Sequence, residues 1–344
     1  MAHDIDRELA RRPDPVTGEG WDRFWDRLHG ANLAPGEAAQ VLTSLSASIS
    51  DEGTLYNFIN SLQTRRSRDV NPGLGGAVNI VGTGGGPSTF NISTAAAFVA
   101  AAMGVRVVKT GSRAYSSRCG SIDLLQYLRI PLTTSHGETE AVLERFGIAF
   151  AGYYVYPREL TLLAKAIMPV PMKAFGRLLN IVGPFLAETP AAAQLTGVSD
   201  TTLLPKLKQL SVRLGDRDIW LCSNGIGADE LISFTDNEIF CNGTSKSFSI
   251  SPRSLGLSSG SLDELAPAAT REGIPGQFRA ILSGDGPSVA TDTVCLNAAA
   301  VAILSGAGIT WPEAVRHARA AIDRGHALRL VDELRRREPA RKAL

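Results

Sequence analysis

The fold is decided by residues 78–123, which read VNIVGTGGGPSTFNISTAAAFVAAAMGVRVVKTGSRAYSSRCGSID. The branched apolar run 78–81 predicts a buried strand, and the glycines that follow it let backbone N–H groups approach a ligand closely. Asn91, Ser93 and Thr94 stand just ahead of a strongly helical run, where such residues cap a helix whose free N–H groups attract anions. The next apolar run, 105–108, predicts a second strand that delivers Lys109 to the same side. The stretch therefore predicts a phosphate pocket at the carboxyl edge of an α/β sheet.

Charge and composition disfavour several classes of partner. The 344 residues carry 35 Lys+Arg and 34 Asp+Glu, a net charge of +1, so phosphate binding should be local and no nucleic acid partner is expected. The four cysteines share no metal-ligand spacing and the five histidines are scattered, which favours reduced thiols and disfavours zinc. The polar amino terminus is unlike a signal peptide and no apolar run has membrane-spanning length. We therefore expect a cytoplasmic protein with no membrane partner.

The pattern of apolar residues predicts two domains. Charged residues with proline and glycine in 1–20 predict a mobile arm, and apolar residues at helical spacing predict a small helical domain over residues 21–70. A helical segment near 158–187 is expected to join that domain. Strands alternating with helices in 76–157 and 188–338 predict a larger α/β domain with a mainly parallel sheet.

Two segments in the middle of the chain have distinct local patterns. Residues 149–155 are apolar and aromatic and predict a strand. The glycine and proline in residues 180–184 predict a tight turn, and a short strand is expected at 194–198.

The glycine loop alone is a weak signal. Pro87 stands where a G-x-G-x-x-G pattern has its third glycine, and the loop lacks the Gly-Lys-Ser/Thr ending of a P-loop. Together with Lys109 and the loop 116–121, however, it supplies two anion-binding elements on successive strand–helix connections. Asp229 and Glu230 follow a later strand, and adjacent carboxylates beside a polyphosphate suit magnesium, which takes oxygen ligands. No Ser/His/Asp set is visible, so the chemistry should come from positioning and electrostatics without a covalent catalytic residue.

Four motifs carry a resemblance to a known family. GTGGGPSTFNIST, KTGSRAYSSRCGSIDLL, NIVGPF and GADELISF occur in the order and spacing of anthranilate phosphoribosyltransferase, and the resemblance covers roughly residues 20–330. It implies a small helical domain against a larger α/β domain, the fold shared with pyrimidine nucleoside phosphorylases. It also implies transfer of phosphoribose from phosphoribosyl pyrophosphate to an acceptor nitrogen, with magnesium as cofactor and loss of pyrophosphate. A homodimer formed through the amino-terminal helices is the implied assembly.

The resemblance also assigns site residues. The donor would be held by Gly82, Thr83, Gly84, Gly85, Asn91, Ser93, Thr94, Lys109 and Ser121. Magnesium would be held by Ser93, Asp229 and Glu230. The positions that correspond to the acceptor site are Thr110, Ser112, Val170, Gly183 and Pro184.

The departures from the family pattern fall mostly on the acceptor side. The family has His-Gly-Asn after its lysine, where this chain has Thr110, Gly111 and Ser112. An arginine that meets the anthranilate carboxylate corresponds to Val170, which cannot form the bidentate pair, although Lys173 or Arg177 would replace it if the alignment shifts. On the donor side, Gly86 stands where the family has an aspartate. We therefore expect a small aromatic or nitrogen-containing acceptor other than anthranilate.

Three alternatives remain open from the sequence. The first is a true anthranilate phosphoribosyltransferase with an unusual acceptor site. The second is a nucleoside phosphorylase, which the glycine loop resembles less closely. The third is a non-catalytic relative that binds nucleic acid; the net charge of +1 and the retained Asp229 and Glu230 argue against it.

Overall fold

The fold was analysed in a computed structural model that describes residues 16–47, 49, 51–66, 76–114, 119–189, 191–257 and 259–337. Three expectations lie wholly or partly outside these residues. They are the predicted arm up to residue 15, residues 67–70 at the end of the expected helical domain, and residues 116–118 of the loop 116–121.

The chain begins with three helices, α1 (Gly18–His29), α2 (Glu37–Ala47) and α3 (Glu52–Thr64). Their apolar faces enclose an aromatic cluster in which the Trp21 and Phe58 rings lie 5.0 Å apart between centroids. Buried Trp25 donates its indole N–H to Ser61 Oγ at 2.9 Å, so its polar atom is satisfied. The side chain of Asp51 accepts hydrogen bonds from two backbone N–H groups of the first turn of α3 and fixes its start.

A seven-stranded sheet forms the centre of the larger part of the molecule, in the order β3-β2-β1-β4-β5-β6-β7. Its strands are β1 (Ala77–Gly82), β2 (Val107–Lys109), β3 (Ile148–Phe150), β4 (Ala191–Gly197), β5 (Asp218–Asn224), β6 (Asn237–Cys241) and β7 (Lys246–Ile250). The first five strands of that order pair in parallel, and β6 and β7 add an antiparallel edge. The expected mainly parallel α/β sheet is confirmed.

The remaining helices pack on the sheet, against one another or against the three amino-terminal helices. They are α4 (Ile92–Ala102), α5 (Ser121–Tyr127), α6 (His136–Phe146), α7 (Arg158–Ala166), α8 (Gly176–Leu186), α9 (Leu204–Leu214), α10 (Gly273–Ser283), α11 (Ser288–Leu304), α12 (Trp311–Asp323) and α13 (His326–Arg335). Helices α4 and α11 are rich in buried alanine, and the small side chains let them pack closely in the core. Among the described residues no single helix is long and apolar enough to cross a membrane, although the bent pair α10 and α11 satisfies the length and composition criteria together.

Two hydrophobic cores lie on opposite faces of the sheet. The smaller core gathers the aromatic cluster of α1 and α3 with apolar residues of α7, α8 and α9 and with Ile219 and Leu221 of β5. The larger core contains α4, α11 and the alternate residue Cys222 of the same strand. Because successive side chains of β5 point to opposite faces of the sheet, this strand contributes residues to both cores. The domain boundaries expected from the sequence stay a prediction.

Two local expectations were wrong. Residues 180–184 form part of helix α8 instead of a tight turn, because Leu178, Ile181, Val182 and Phe185 recur at helical spacing and are buried. Pro184 is accommodated near the carboxyl end of that helix. The strand expected over 149–155 ends at Phe150, and Tyr153–Val155 form a 3₁₀ turn.

Candidate active site

A cleft of about 1090 Å³ opens where the carboxyl ends of β1, β2, β4 and β5 meet the helices of the smaller core. Ligands of open α/β sheets bind at this edge, since the loops after the strands converge there. Most residues that the sequence assigned to the donor line the cleft: Gly82, Thr83, Gly84, Gly85, Asn91, Ser93, Lys109 and Ser121. Asp229 and Glu230 line it as well. Thr94 is fully buried and does not line the cleft.

The glycine loop is fixed by contacts to two neighbouring segments. The Gly84 N–H donates to Asp229 Oδ2 at 2.7 Å. Ser199, just after β4, donates from its hydroxyl to the Gly84 carbonyl at 2.5 Å and from its N–H to Thr83 Oγ1 at 3.3 Å. A Cβ at Gly82 would collide with the Asp229 carboxylate, so glycine is required for this close approach.

Gly86 is also explained by packing. A Cβ added there would lie 2.5 Å from the Gly227 carbonyl oxygen, a distance that real Cβ atoms do not adopt. The loop and the segment before Asp229 are therefore packed too closely for an aspartate at position 86. Glycine in place of the family's aspartate therefore allows the loop to pack against this segment.

Lys109 lies at the centre of the donor side. Its ammonium group donates to the Ile80 carbonyl at 2.7 Å and to Ser93 Oγ at 3.2 Å, and only 3% of the residue is exposed. Burial lowers the pKa of Lys109 to about 8, although the neighbouring carboxylates of Glu230 and Asp229 oppose this change. Ser93 is in the first turn of α4, so the lysine and the positive end of that helix face the same space.

The two adjacent carboxyl groups are held in an unfavourable environment. Burial raises the pKa of Asp229, opposed by the hydrogen bond from the Gly84 N–H. Burial and the negative charge of Asp229 raise the pKa of Glu230 well above its usual value. Glu230 Oε2 is buried and has no hydrogen-bond partner among the described residues. A bound cation would satisfy this oxygen and stabilise both charges.

The oxygen donors in the cleft suit a magnesium ion that is shared with substrate phosphates better than a metal ion bound by protein side chains alone. The described residues contain no cluster of three His, Cys, Asp or Glu side chains that could hold a metal. Magnesium is commonly held by one or two carboxylates and completes its coordination with substrate phosphates and water. Asp229, Glu230 and the Ser93 hydroxyl could supply the protein ligands in this cleft.

Two buried asparagines position the carboxylate pair, and the sequence reasoning missed both. Asn224, at the end of β5, donates to the carbonyls of Ala228 at 3.1 Å and Glu230 at 2.8 Å. Asn297 of α11 accepts from the Leu231 N–H at 3.0 Å and donates to the Leu231 carbonyl at 2.7 Å. A buried asparagine directly before a glycine-containing loop was the available signal for Asn224.

A second buried network reaches the acceptor side. Asn79 of β1 donates to Thr110 Oγ1 at 3.0 Å and to Gln194 Oε1 at 3.1 Å, and accepts from the Thr110 N–H at 3.1 Å. Gln194 of β4 donates to the Pro184 carbonyl at 3.1 Å. The network therefore links two cleft residues, Thr110 and Pro184, through the middle of the sheet. Polar residues inside buried strands signalled it, but their partners could not be read from the sequence.

The structure brings together most of the expected acceptor positions. Thr110, Ser112, Gly183 and Pro184 all line the cleft. Val170 does not line it and is 37% exposed, so the position that corresponds to the family's arginine lies outside the cleft.

The two suggested replacement cations differ in placement. Lys173 is exposed and lies outside the cleft. Arg177 lines the cleft, where its guanidinium donates to Asp200 Oδ2 at 2.9 Å.

Comparison with known proteins agrees with this architecture. The family described as "Glycosyl transferase family, a/b domain" matches residues 74–328, so the cleft lies largely within a glycosyl transferase domain. Anthranilate phosphoribosyltransferase from Desulfotalea psychrophila is 30% identical over 331 residues, which cover 89% of this chain and 93% of that protein. This chain belongs to the anthranilate phosphoribosyltransferase family, and the family consists of phosphoribosyltransferase enzymes.

Solved structures share the fold along nearly the whole chain. Anthranilate phosphoribosyltransferase from Thermus thermophilus superimposes with a TM-score of 0.77 at 26% identity, covering 97% of this chain and 98% of that one. The Saccharomyces cerevisiae enzyme, solved in complex with PRPP and Mg, has a TM-score of 0.75 at 20% identity and covers 96% and 95%. The predicted fold class and family are confirmed.

Proposed function

We propose that this protein is a magnesium-dependent phosphoribosyltransferase that moves phosphoribose from phosphoribosyl pyrophosphate to a small aromatic or nitrogen-containing acceptor. One observation carries the proposal: Lys109, Ser93, the glycine loop and the Asp229–Glu230 pair converge in one cleft of suitable size. Cationic, N–H and carboxylate groups in this arrangement suit a polyphosphate held together with a hard cation. The relatives' common name supports the same reaction type.

The cleft residues have distinct parts in the proposed reaction. The glycine loop and the first turn of α4 direct N–H groups toward the donor phosphates, while Lys109 supplies a positive charge. Ser93, Asp229 and Glu230 would hold magnesium, which would offset the negative charge of the pyrophosphate leaving group. The acceptor nitrogen attacks the ribosyl carbon from the opposite face. No residue forms a bond to the sugar, so rate acceleration comes from orientation and charge stabilisation.

The acceptor is proposed to differ from anthranilate. By the family resemblance an asparagine meets anthranilate, and this chain carries Ser112 at that position, inside the cleft. Val170, aligned with the family's arginine, lies outside the cleft and supplies no cation to it. A carboxylate binds best to a bidentate guanidinium, and the arginine that does line the cleft, Arg177, is paired with Asp200. Anthranilate itself is the second candidate, because the curated relatives carry that name.

The proposal is tested by calorimetric titration of phosphoribosyl pyrophosphate with magnesium, followed by assays of pyrophosphate release. Donor binding that requires magnesium supports the donor half. Rapid release with anthranilate would favour the second candidate, and absence of donor binding would overturn the proposed enzyme. Phosphate-dependent cleavage of a nucleoside would point to a phosphorylase, and salt-sensitive binding of nucleic acid without turnover to a non-catalytic relative.

Two further parts of the proposal concern assembly and location. We propose a homodimer and a cytoplasmic enzyme, on the basis of the family resemblance. Light scattering at two protein concentrations measures the first. Fractionation of cells that express the full chain measures the second.

A further inference from the structure

The charge of the acceptor can be inferred from the cations around the cleft. Three described cationic side chains line it, and each has an anionic or polar partner. Lys109 bonds the Ile80 carbonyl and Ser93 on the donor side, and Arg113 donates to Asp123 at 3.0 Å. Arg177 is paired with Asp200 at 2.9 Å. On the side formed by the helices, the described lining therefore offers no unpaired positive charge to an acceptor carboxylate.

The wall on that side is mainly apolar. It is formed by side chains of α7, α8, α9 and the intervening segments, among them Leu160, Ala164, Met172, Leu179, Val182 and Leu207. Tyr153 and Tyr156 add aromatic surface. Burial raises the pKa of Tyr156 to about 12, so its hydroxyl remains neutral. Such a wall suits a flat apolar ring and disfavours a buried unpaired charge.

An uncharged amide on this wall is placed to recognise a ligand. Asn180 of α8 is half-buried, lines the cleft and has no side-chain hydrogen bond to another described residue. Its amide nitrogen lies beside the donor loop, since a Cβ on Gly84 would come within 2.7 Å of it. A primary amide offers both a donor and an acceptor without a charge. It can therefore orient a neutral N–H group next to the donor.

We propose that the acceptor is an uncharged aromatic amine or nitrogen heterocycle, oriented by the Asn180 amide against the apolar wall; this inference rests on the proposed function. In the reaction, the acceptor nitrogen forms a bond to the ribosyl carbon as the bond from that carbon to the pyrophosphate oxygen breaks. The electron pair of the broken bond leaves with pyrophosphate, and the proton from the acceptor nitrogen passes to pyrophosphate or water. No oxidant or further reactant is needed.

The test compares two nearly isosteric probes, 2-aminobenzamide and anthranilate, which differ by an amide in place of a carboxylate. Binding of phosphoribosyl pyrophosphate with magnesium is first measured by calorimetry. Pyrophosphate release is then followed with each probe and with aniline and benzimidazole. We expect kcat/KM for at least one neutral probe to exceed that for anthranilate by about 10-fold or more.

The outcomes separate the two proposals. If the donor does not bind, the proposed function fails. If the donor binds but anthranilate is used as well as or better than every neutral probe, the acceptor inference fails while the proposed function stands. If the donor binds and no neutral probe binds or is turned over, the acceptor inference fails as well.

Three variants sharpen the comparison. Asn180→Leu should lower kcat/KM for the neutral probe about 10-fold, and more than it raises the donor Kd, which is measured in the same variant because the amide lies beside the donor loop. Met172→Arg places a cation in the apolar wall and should shift preference toward anthranilate by about 10-fold, whereas Met172→Leu, its size-matched control, should not. Asp200→Asn frees Arg177 and should shift preference in the same direction as Met172→Arg. An unchanged preference in both Met172→Arg and Asp200→Asn would overturn the role assigned to the missing cation.

Discussion

Asp229 Oδ2 accepts a hydrogen bond from the Gly84 N–H at 2.7 Å, so one carboxyl group both anchors the donor loop and faces the candidate magnesium site. The two sequence motifs are 145 residues apart and meet through this contact. Loss of the side chain would therefore disturb the loop and the metal site together. A useful experiment has to separate the two effects.

Replacing the carboxylate pair should nearly abolish turnover. Asp229→Ala combined with Glu230→Ala is expected to lower kcat by about 10³, equal to about 4 kcal/mol of transition-state stabilisation. Asp229→Asn combined with Glu230→Gln keeps an acceptor for the Gly84 N–H but removes both charges. We expect the same loss in this variant, measured as pyrophosphate release over a magnesium titration. Turnover close to that of the unaltered protein in either double variant would contradict the magnesium assignment.

Restoring the family's aspartate at position 86 should harm donor binding. The new Cβ in Gly86→Asp would approach the Gly227 carbonyl oxygen to 2.5 Å, so the loop must move. Strain of about 1–3 kcal/mol corresponds to a rise in the donor Kd of about 5- to 150-fold. Calorimetric titration with magnesium measures it. Tighter binding in Gly86→Asp would show that the loop adapts and that the packing argument is mistaken.

Gly82→Ala tests the close approach of β1 to the carboxylate. The added methyl group would occupy the space of the Asp229 side chain, and we expect kcat/KM to fall about 100-fold, the cost of displacing a positioned catalytic group. Gly276→Ala in α10 is the matched control, because nothing lies within 4 Å of the new methyl group. The control should leave activity unchanged and should not lower the unfolding midpoint. Equal activities of the two variants would disprove the steric constraint.

The pair formed by Glu138 and Arg337 should make stability depend on pH. Glu138 Oε1 accepts from Arg337 at 2.6 Å, and both side chains are about nine-tenths buried. Burial raises the pKa of Glu138, but hydrogen bonds from Arg337 and Thr134 outweigh it and hold the pKa below its usual 4.5. Since the folded-state pKa is depressed, the stabilisation is present above the unfolded-state pKa and is lost as pH falls through the folded-state value.

Glu138→Gln should accordingly lower the free energy of unfolding near pH 7 by about 3 kcal/mol, because it leaves Arg337 buried without its counter-charge. The difference from the unaltered protein should shrink below pH 4.5. Urea unfolding at several pH values measures it. Glu19→Gln, at an exposed ion pair, serves as control and should not shift the transition. A pH-independent difference for Glu138→Gln would disprove the assignment of charge.

Local chemistry was predictable from the sequence where it depended on neighbouring residues. The apolar run before Gly82 and the lysine that ends β2 set the strands and the cleft residues directly. Long-range partners were not predictable, because nothing local to Asn79 or Asn224 indicates what their amides bind. The turn predicted at residues 180–184 was wrong because glycine and proline there favour a turn, whereas the apolar residues around them recur at helical spacing.

Helix α8 limits how the specificity of this cleft can change. Leu178 and Phe185 belong to the smaller core, Asn180 and Gly183 line the cleft, and Ile181 and Val182 do both. The same helix sets its Asn180 amide against the donor loop. Few positions on this helix can therefore alter acceptor choice without disturbing either the core or the donor. Evolution toward a new acceptor would have few independent routes along this helix, and adjacent changes would have to occur together.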